Sequence, residues 1–276
     1  MARDPASGLI PQTQSSLAVS ATGNDWAILN ASPDIHEQIM NTPALHPRSL
    51  RDSPIKSVLI TNGDIDHIAG LLILREKQVF TLFVTAAIAE IIDANPIFAA
   101  LDPAFVSRRI VALEEEFLLL PGIAARLFAV PGKVPLFMEQ GEPELGIEGE
   151  HTAGVELRSG SARSYYIPGC GALSPALAAR IHGADALFFD GTLFSDDEMI
   201  RSGTGQKTGQ RMGHMSITGD SGSLVGLGRI DAARKIYVHI NNTNPIWRAG
   251  PERDAVEAAG LEVGYDGMEI HCEHTA

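Results

Sequence analysis

Two acidic residues and a histidine lie close together in the stretch TNGDIDH, residues 61–67. They are Asp64, Asp66 and His67, and they follow the apolar run SVLI and precede the helix-like segment IAGLLILREK. Carboxylates and imidazoles bind zinc, iron and manganese, and they also transfer protons near neutral pH. The stretch is therefore a candidate metal or acid–base site placed where a buried strand turns into a helix.

Two further apolar runs end in the same way. ALFF runs into Asp190, and KIYV runs into His239. In layered α/β proteins, ligands collect beyond the carboxyl ends of the strands. If these strands are neighbours, their terminal acids and imidazoles converge, and the repeated pattern predicts one shared metal site.

Each of these residues also has a structural interpretation. Asp66 could cap a helix that begins near Ile68, and Asp64 could be a solvated turn residue. Asp190 could form a turn with the glycine that follows it, and His239 could be a hydrogen-bonded histidine of the core.

A glycine-rich stretch from Gly203 to Gly228 contains His214, in RMGHMS. A segment of this kind can fold over a pocket, where imidazole could move a proton, or it can be a surface loop. GTGQKT within it is not a phosphate loop, because Gln206 stands before Lys207 where that motif has glycine.

Composition limits the class of protein. The chain has 276 residues, is 45% hydrophobic and has a formal net charge of -13, which argues against nucleic acid and anionic membrane surfaces as partners. Its two cysteines are too few for a disulfide framework, and the sequence lacks a secretory signal and a long apolar run. We expect one cytoplasmic domain over residues 1–276.

Strand-like and helix-like segments alternate along the chain. SSLAV and DWAILN predict a hairpin closed near Gly23, Ser32 predicts a helix N-terminus, and a second helix is expected from Ile68. This mixture indicates an α/β layered domain.

DxDH after an apolar strand resembles the HxHxDH signature of the metallo-β-lactamase fold. Asn62 and Asp64 stand at its first two histidine positions, while Asp66 and His67 match.

The other motifs of that fold are also partly present. In VPGKVP, Lys133 stands where a histidine is usual, Asp190 matches the acid that bridges two metals, and His239 matches the last histidine ligand. Since three usual histidine ligands are replaced, a full two-zinc site is not expected.

A more specific resemblance is to the coenzyme PQQ synthesis protein B family, within the same superfamily. It is carried in order from Gln12 to Ile270 by the stretches TQSSLAVS, NASPDIHEQI, LRDSPIKSVLITNGDIDHIAGLLILRE, YYIPGCG, GADALFFDGTLFSDDEMI, KTGQRMGHM, HINNTNPI and YDGMEI. It implies a four-layer αββα sandwich and a role in the biosynthesis of pyrroloquinoline quinone (PQQ), a redox cofactor made from a glutamate and a tyrosine of a precursor peptide.

The resemblance implies two alternative roles: an iron-dependent oxygenase that hydroxylates the tyrosine ring, or a non-catalytic carrier that transports PQQ or its precursor. The first is an oxidoreductase and fits the residues better, because Asp66, His67 and His239 give the two histidines and one carboxylate of a mononuclear iron site. Fe(2+) is the expected ion, with Zn(2+) as the alternative. Asp190 is expected as a further ligand or as an acceptor that orients a ligand histidine. Asp64 is expected either to bind the ion or to contact its ligands.

The resemblance also suggests roles around the metal. His214 is expected to move a proton or to orient a phenolic oxygen. Asn241, Asn242 and Asn244 are expected to hold the carboxylate and amine of a tyrosine-derived substrate, or else simply to form turns.

The resemblance also implies partners and the form of the N-terminal segment. The partners would be the PQQ precursor and other PQQ-pathway proteins, with a homodimer as an open alternative; a zinc-dependent hydrolase is a third functional class. The start MARDPASGLIPQ lacks the strand, glycine-rich loop and cysteine-rich zinc segment with which family members usually begin, so we do not expect that structural zinc.

Overall fold

The computed structural model describes residues 5–139 and 145–272, which contain two β-sheets. The first sheet has the order β1-β2-β3-β4-β5, in which β1 pairs antiparallel with β2 and the other neighbours are parallel. Its strands are β1 (Leu17–Val19), β2 (Trp26–Leu29), β3 (Ile55–Leu59), β4 (Phe80–Val84) and β5 (Val106–Ile110). The predicted hairpin is confirmed as β1 and β2.

The second sheet has the order β12-β11-β10-β9-β8-β7-β6. The strands from β9 to β12 are parallel, and those from β6 to β9 are antiparallel. The strands are β6 (Glu116–Leu120), β7 (Ile123–Ala129), β8 (Ala153–Ser159), β9 (Ala162–Ile167), β10 (Ala186–Asp190), β11 (Lys235–Val238) and β12 (Glu262–Val263).

The helices are short. They are α1 (Ile35–Asn41), α2 (Ile65–Ile68), α3 (Ala86–Asp93), α4 (Pro175–Ile181), α5 (Glu198–Arg201), α6 (Gly209–Met212), α7 (Ser223–Gly228) and α8 (Pro251–Ala258). Six 3-10 helices complete the described residues, at Pro5–Ser7, Pro43–Leu45, Ala69–Arg75, Pro96–Ala100, Leu136–Met138 and Pro245–Trp247. Within the described residues, no helix has the length and apolar character needed to span a membrane.

Three apolar clusters explain how the sheets stack. Adjacent residues of β3 point to opposite faces: Val58 packs in a cluster with α1 and α3, and Leu59 packs in a cluster between the two sheets. The far face of the second sheet is covered by α4, α7 and α8, through residues such as Leu177, Leu227 and Val256. The layers are therefore helix, sheet, sheet, helix, and the expected metallo-β-lactamase-like αββα sandwich is confirmed.

The strand ends meet at one edge of this sandwich. β10 and β11 are parallel and Asp190 pairs with Val238, so Asp190 and His239 follow adjacent strands at the same level. The chain leaving β3 contacts the second sheet, because Ala153 donates its backbone N–H to the carbonyl of Thr61 at 2.9 Å. The loop after β3 is thereby joined to the start of β8, and Asp66 at its far end reaches His239 after β11.

Two helix boundaries differ from the sequence-based expectation. α1 begins at Ile35 with Asp34 at its N-cap position, whereas Ser32 was expected as the cap; the Ser32 hydroxyl instead accepts the N–H of Asp34 and closes a separate turn. α2 begins at Ile65, three residues before the expected Ile68, and gives way to a 3-10 helix at Ala69. Asp66 is therefore inside the first turn of α2 and is not its cap.

Candidate metal and active site

Three of the predicted ligands form one compact group. Asp66, His67 and His239 each offer a ligand atom, and these atoms lie within 4.8 Å of one another. The Nε2 atom of His239 is 2.9 Å from Oδ2 of Asp66, and Nε2 of His67 is 3.9 Å from the same oxygen. The three side chains therefore converge closely enough to share one cation.

Asn62 fixes the orientation of the His67 ring. Its Oδ1 accepts the backbone N–H of Asp64 at 3.0 Å, which identifies that amide atom as the oxygen. The same oxygen is 2.7 Å from Nδ1 of His67, so Nδ1 carries the hydrogen and Nε2 carries the lone pair. Metal-binding histidines commonly donate their second N–H in this way.

The Nε2 atom of His67 provides a test of whether an ion fits. It is buried and has no hydrogen-bond partner among the described residues. A buried polar atom without a partner costs about 1–3 kcal/mol, and a lone pair that faces a carboxylate is satisfied by a cation. The residues present therefore fit a divalent metal ion.

A second group shares His239 with the first. Asp190, His214 and His239 also offer ligand atoms within 4.8 Å of one another. Nδ1 of His214 lies 2.6 Å from Oδ2 of Asp190, and the rings of His214 and His239 stack with centroids 5.2 Å apart. His214 is thereby held against the metal group.

Thr192 connects these side chains, and sequence reasoning missed it. Its Oγ1 is 2.6 Å from Oδ1 of Asp190, 2.8 Å from Nδ1 of His239 and 3.1 Å from Nδ1 of His214. The hydroxyl donates its one hydrogen to the carboxylate, so it accepts from the histidines. Both rings therefore carry hydrogen on Nδ1 and present Nε2 to the site.

Asp190 is fully buried at the end of β10. Its Oδ2 accepts the N–H of Cys170 at 2.8 Å, and its Oδ1 accepts the N–H of Thr192 at 3.0 Å. Burial raises the pKa of this carboxyl, but the charge and hydrogen bond of His214 outweigh it, so the net shift of the pKa is downward. Asp190 is therefore an ionised acceptor.

The charges of the first group depend on one another. Burial lowers the pKa of His67 to about 4, so this ring is neutral at pH 7, as a ligand must be. Burial also opposes ionisation of Asp66, but the imidazoles of His67 and His239 hold its pKa well below the usual value. For His239, burial lowers the pKa, but the hydrogen bond to Asp66 and the negative charges of Asp66 and Asp190 together outweigh it, and the net shift is upward.

His239 has a left-handed backbone, with φ of 57°. A residue with a Cβ in this region is strained by about 1–3 kcal/mol, and such residues cluster at functional sites. The turn places the imidazole between Asp66 and Thr192 instead of letting it continue the alternation of β11. The structural interpretation of His239 as an ordinary core residue does not account for this conformation.

Asp64 occupies the N-cap position of α2, but its side chain makes no capping hydrogen bond. It is half-buried, and its charge acts on both His67 and His239. From this position Asp64 could either bind the ion itself or act on the ligand histidines through its charge.

The three predicted substrate-binding asparagines lie in different environments. Asn242 is exposed and Asn241 is half-buried, with its Nδ2 3.1 Å from the hydroxyl of Thr243. Asn244 is buried; its Nδ2 donates to the carbonyl of Gly191, and its Oδ1 accepts the N–H of Ile246. The amide of Asn244 therefore holds the loop together, and the structure does not bring it to the surface of the site.

Comparisons with known proteins agree with this geometry. The Beta-lactamase superfamily domain model matches residues 25–240. The chain is 65% identical to a Coenzyme PQQ synthesis protein B from Rhizobium meliloti (strain 1021), over 98% of this chain and 89% of the relative. It is 58% identical to another from Ruegeria pomeroyi, over 96% and 90% of the two chains.

Solved structures place the fold in the same group. The crystal structure of Zn(2+)-bound PqqB from Methylobacterium extorquens superposes with a TM-score of 0.95 at 49% identity, covering 97% of this chain and 91% of that one. A diphosphatase from the PhnP family superposes with a TM-score of 0.64 at 19% identity, covering 95% and 85%, which reflects the shared fold alone. By its sequence, its fold and the residues at its strand ends, this chain belongs to the coenzyme PQQ synthesis protein B family of the β-lactamase superfamily.

Proposed function

We propose that this protein acts in the biosynthesis of PQQ as a mononuclear non-haem iron oxygenase that hydroxylates the tyrosine ring of a precursor. The observation that supports this most directly is the facing set of Asp66, His67 and His239, with Nε2 of His67 buried and without a partner among the described residues. Membership of the family supports the pathway.

The proposed ligands favour iron chemistry. Asp66, His67 and His239 would hold a ferrous ion through two imidazoles and one carboxylate, and an ion held by this donor set would supply the oxygen activation known from non-haem iron oxygenases. Zn(2+) is named in the structure of a relative, and it suits the same imidazole and carboxylate ligands. We therefore infer that the chain binds either ion and that hydroxylation needs iron.

His214 is proposed to act on the phenol. Asp190 and Thr192 hold its Nδ1 and leave Nε2 directed away from them. That atom can accept the phenolic hydrogen and return it, because imidazole changes protonation near neutral pH. Asp190, buried and ionised, stabilises the ring when it takes up the proton.

Substrate positioning is assigned to Asn241 and Asn242 and not to Asn244, because the amide of Asn244 is buried and bonded within its own loop. The exposed amide of Asn242 and the half-buried amide of Asn241 lie on the loop that follows His239. Amides at this place can donate to a substrate carboxylate and accept from an amine.

A zinc-dependent hydrolase is the second candidate function, and one observation favours it. The group of Asp190, His214 and His239 offers a second possible place for a zinc ion, and a bound zinc ion activates water for hydrolysis. A non-catalytic carrier would keep the same fold and bind ligand without metal.

Oxygen consumption by iron-loaded protein separates these functions. Under the proposal, protein loaded anaerobically with Fe(2+) consumes oxygen when a tyrosine-containing precursor peptide and a reductant are added, and the peptide gains one oxygen atom by mass spectrometry. Zinc-loaded protein does neither. Hydrolysis of a phosphoester by the zinc form, or tight peptide binding without hydroxylation in the iron form, would replace the proposal by the hydrolase or the carrier.

A further inference from the structure

Three cationic side chains converge on one carboxylate next to the metal group. Nζ of Lys133 lies 3.1 Å from Oε1 of Glu139, and Nζ of Lys207 lies 3.8 Å from its Oε2. Arg211 reaches both oxygens, at 3.3 and 3.0 Å. No other described carboxylate forms an ion pair with these three groups, so the cluster carries two positive charges in excess.

The cluster is well ordered by its surroundings. The side chains of Lys133 and Glu139 are only 9% and 7% exposed. Arg211 lies in α6, whose start is capped by the hydroxyl of Thr208, and this cap accepts the N–H of Arg211 itself. The hydrogen bond from Arg211, together with Lys133 and Lys207, holds the pKa of Glu139 at about 2 although burial opposes this. Glu139 is therefore ionised at any physiological pH and keeps the three cations together.

The position of Lys133 connects the cluster to the first metal group. Its backbone carbonyl accepts the hydroxyl of Thr152 at 3.1 Å, and Thr152 forms a β-bridge with Asn62. Asn62 in turn orients His67. Thr152 thus connects Lys133 to Asn62, the residue whose amide orients His67.

The same lysine also borders the second metal group. Its side chain passes over Gly213, where a Cβ would lie 3.0 Å from Cγ of Lys133. Gly213 immediately precedes His214, and Arg211 is three residues before that histidine. Lys133 therefore packs against the residue that precedes His214, and the ion pairs with Glu139 hold Lys207 and Arg211 beside that lysine.

We propose that Lys133, Lys207 and Arg211 form a carboxylate-binding subsite that holds an acidic group of the substrate while its aromatic ring lies at the metal group. Glu139 positions the three cations, and the two charges in excess attract the substrate carboxylate. In a chain with a net charge of -13, a local positive cluster is needed to draw an anion to the site. Lys207 and Arg211 are 39% and 32% exposed, so both can be reached from solvent.

This inference rests on the proposed function, because it assigns part of the same substrate, and binding can test it apart from chemistry. The probes are the dipeptide glutamyl-tyrosine and its counterpart without carboxylates, glutaminyl-tyrosinamide, titrated calorimetrically into zinc-loaded protein, which under the proposed function does not turn over. The variants are Lys207→Gln and Arg211→Gln. The matched controls are Lys56→Gln and Arg48→Gln, which remove the same charges at the opposite end of β3 from the site.

Wild-type protein is expected to bind the acidic dipeptide about tenfold or more tightly than the diamide, which lacks both carboxylates, since a charge-assisted hydrogen bond contributes about that much. Each site variant should lose most of this preference, each control should keep it, and added salt should weaken it. If Arg211→Gln proves unfolded by its melting temperature, Lys207→Gln decides, because its side chain is the most exposed of the three cations.

The inference is overturned if the site variants keep the wild-type preference, or if wild-type protein shows no preference or does not bind the acidic dipeptide. Its failure is distinguishable from failure of the proposed function. Hydroxylation by iron-loaded protein without any charge preference removes the subsite alone, whereas charge-dependent binding without hydroxylation removes the oxygenase alone.

Discussion

The side-chain oxygen of Asn62 accepts a hydrogen bond from Nδ1 of His67 at 2.7 Å, and this contact leaves Nε2 of His67 directed at Asp66. Asn62 stands where the metallo-β-lactamase signature has a histidine ligand. At this position a residue that orients a ligand has thus replaced a ligand. The side chains of Asp66, His67 and His239 form the single metal group.

Replacement of Asn62 by leucine should weaken metal binding. The leucine removes the acceptor of Nδ1, so the His67 ring loses its fixed orientation, and such losses cost about 10–100-fold in metal affinity. A competition titration with a chelator and zinc measures this. Asn24→Leu, in the exposed turn between β1 and β2, is the control. Equal affinity in wild-type protein and Asn62→Leu would contradict the assigned role.

Thr192 should act through its hydroxyl. Thr192→Val keeps the shape but removes the acceptor for Nδ1 of His239 and His214, so we expect metal affinity and turnover each to fall about tenfold or more. Thr192→Ser keeps the hydroxyl and should restore both. If valine and serine behaved alike, the role of Thr192 would be packing and not positioning.

The layered fold and the polar residues at the strand ends could be predicted from the sequence. Because β10 and β11 are parallel and in register at Asp190 and Val238, Asp190 and His239 meet at neighbouring strand ends. Asp66 and His67 follow β3 of the other sheet, so they reach His239 across the sandwich and not from a neighbouring strand. Such ends are visible as apolar runs that stop at a polar residue.

The supporting contacts could not be predicted in this way. Thr192 lies two residues beyond a strand in a loop, and its three contacts reach residues up to 47 positions away. The fate of Asn244 depends on the same loop, where carbonyls of Gly191 and Thr192 face its amide. A periodic pattern carries no signal for hydrogen bonds of this kind, and the one local signal is a threonine two residues after a strand-end aspartate, in Asp190-Gly191-Thr192.

His67 should make the stability of the metal-free protein depend on pH. In the unfolded chain His67 takes up a proton near its ordinary value of 6.5, whereas burial delays this in the folded chain to about pH 4. Between these values the unfolded chain binds more protons, so the free energy of unfolding falls as the pH is lowered. His239, with a raised pKa, acts in a different window above 6.5.

Urea titrations from about pH 6.5 to 4 would measure this slope. His67→Gln should flatten it, whereas His36→Gln, which removes an exposed histidine of α1, should not. An unchanged slope in His67→Gln would show that burial of this ring does not control its protonation.

The asparagines after His239 should separate by function. Asn244→Ala leaves the buried carbonyl of Gly191 and the N–H of Ile246 without their partner, and it should lower the free energy of unfolding by about 2–3 kcal/mol. Asn242→Ala, at an exposed position, should leave stability unchanged and raise KM for the precursor peptide. The reverse result would return Asn244 to the substrate-binding set.

Metal stoichiometry tests the central claim most directly, namely that Asp66, His67 and His239 together hold one ion. Protein loaded anaerobically with Fe(2+) and passed through a desalting column should retain one iron per chain, and His67→Gln and His239→Gln should each lose it, while His36→Gln keeps it. Retention of one iron per chain by both ligand variants would contradict the account.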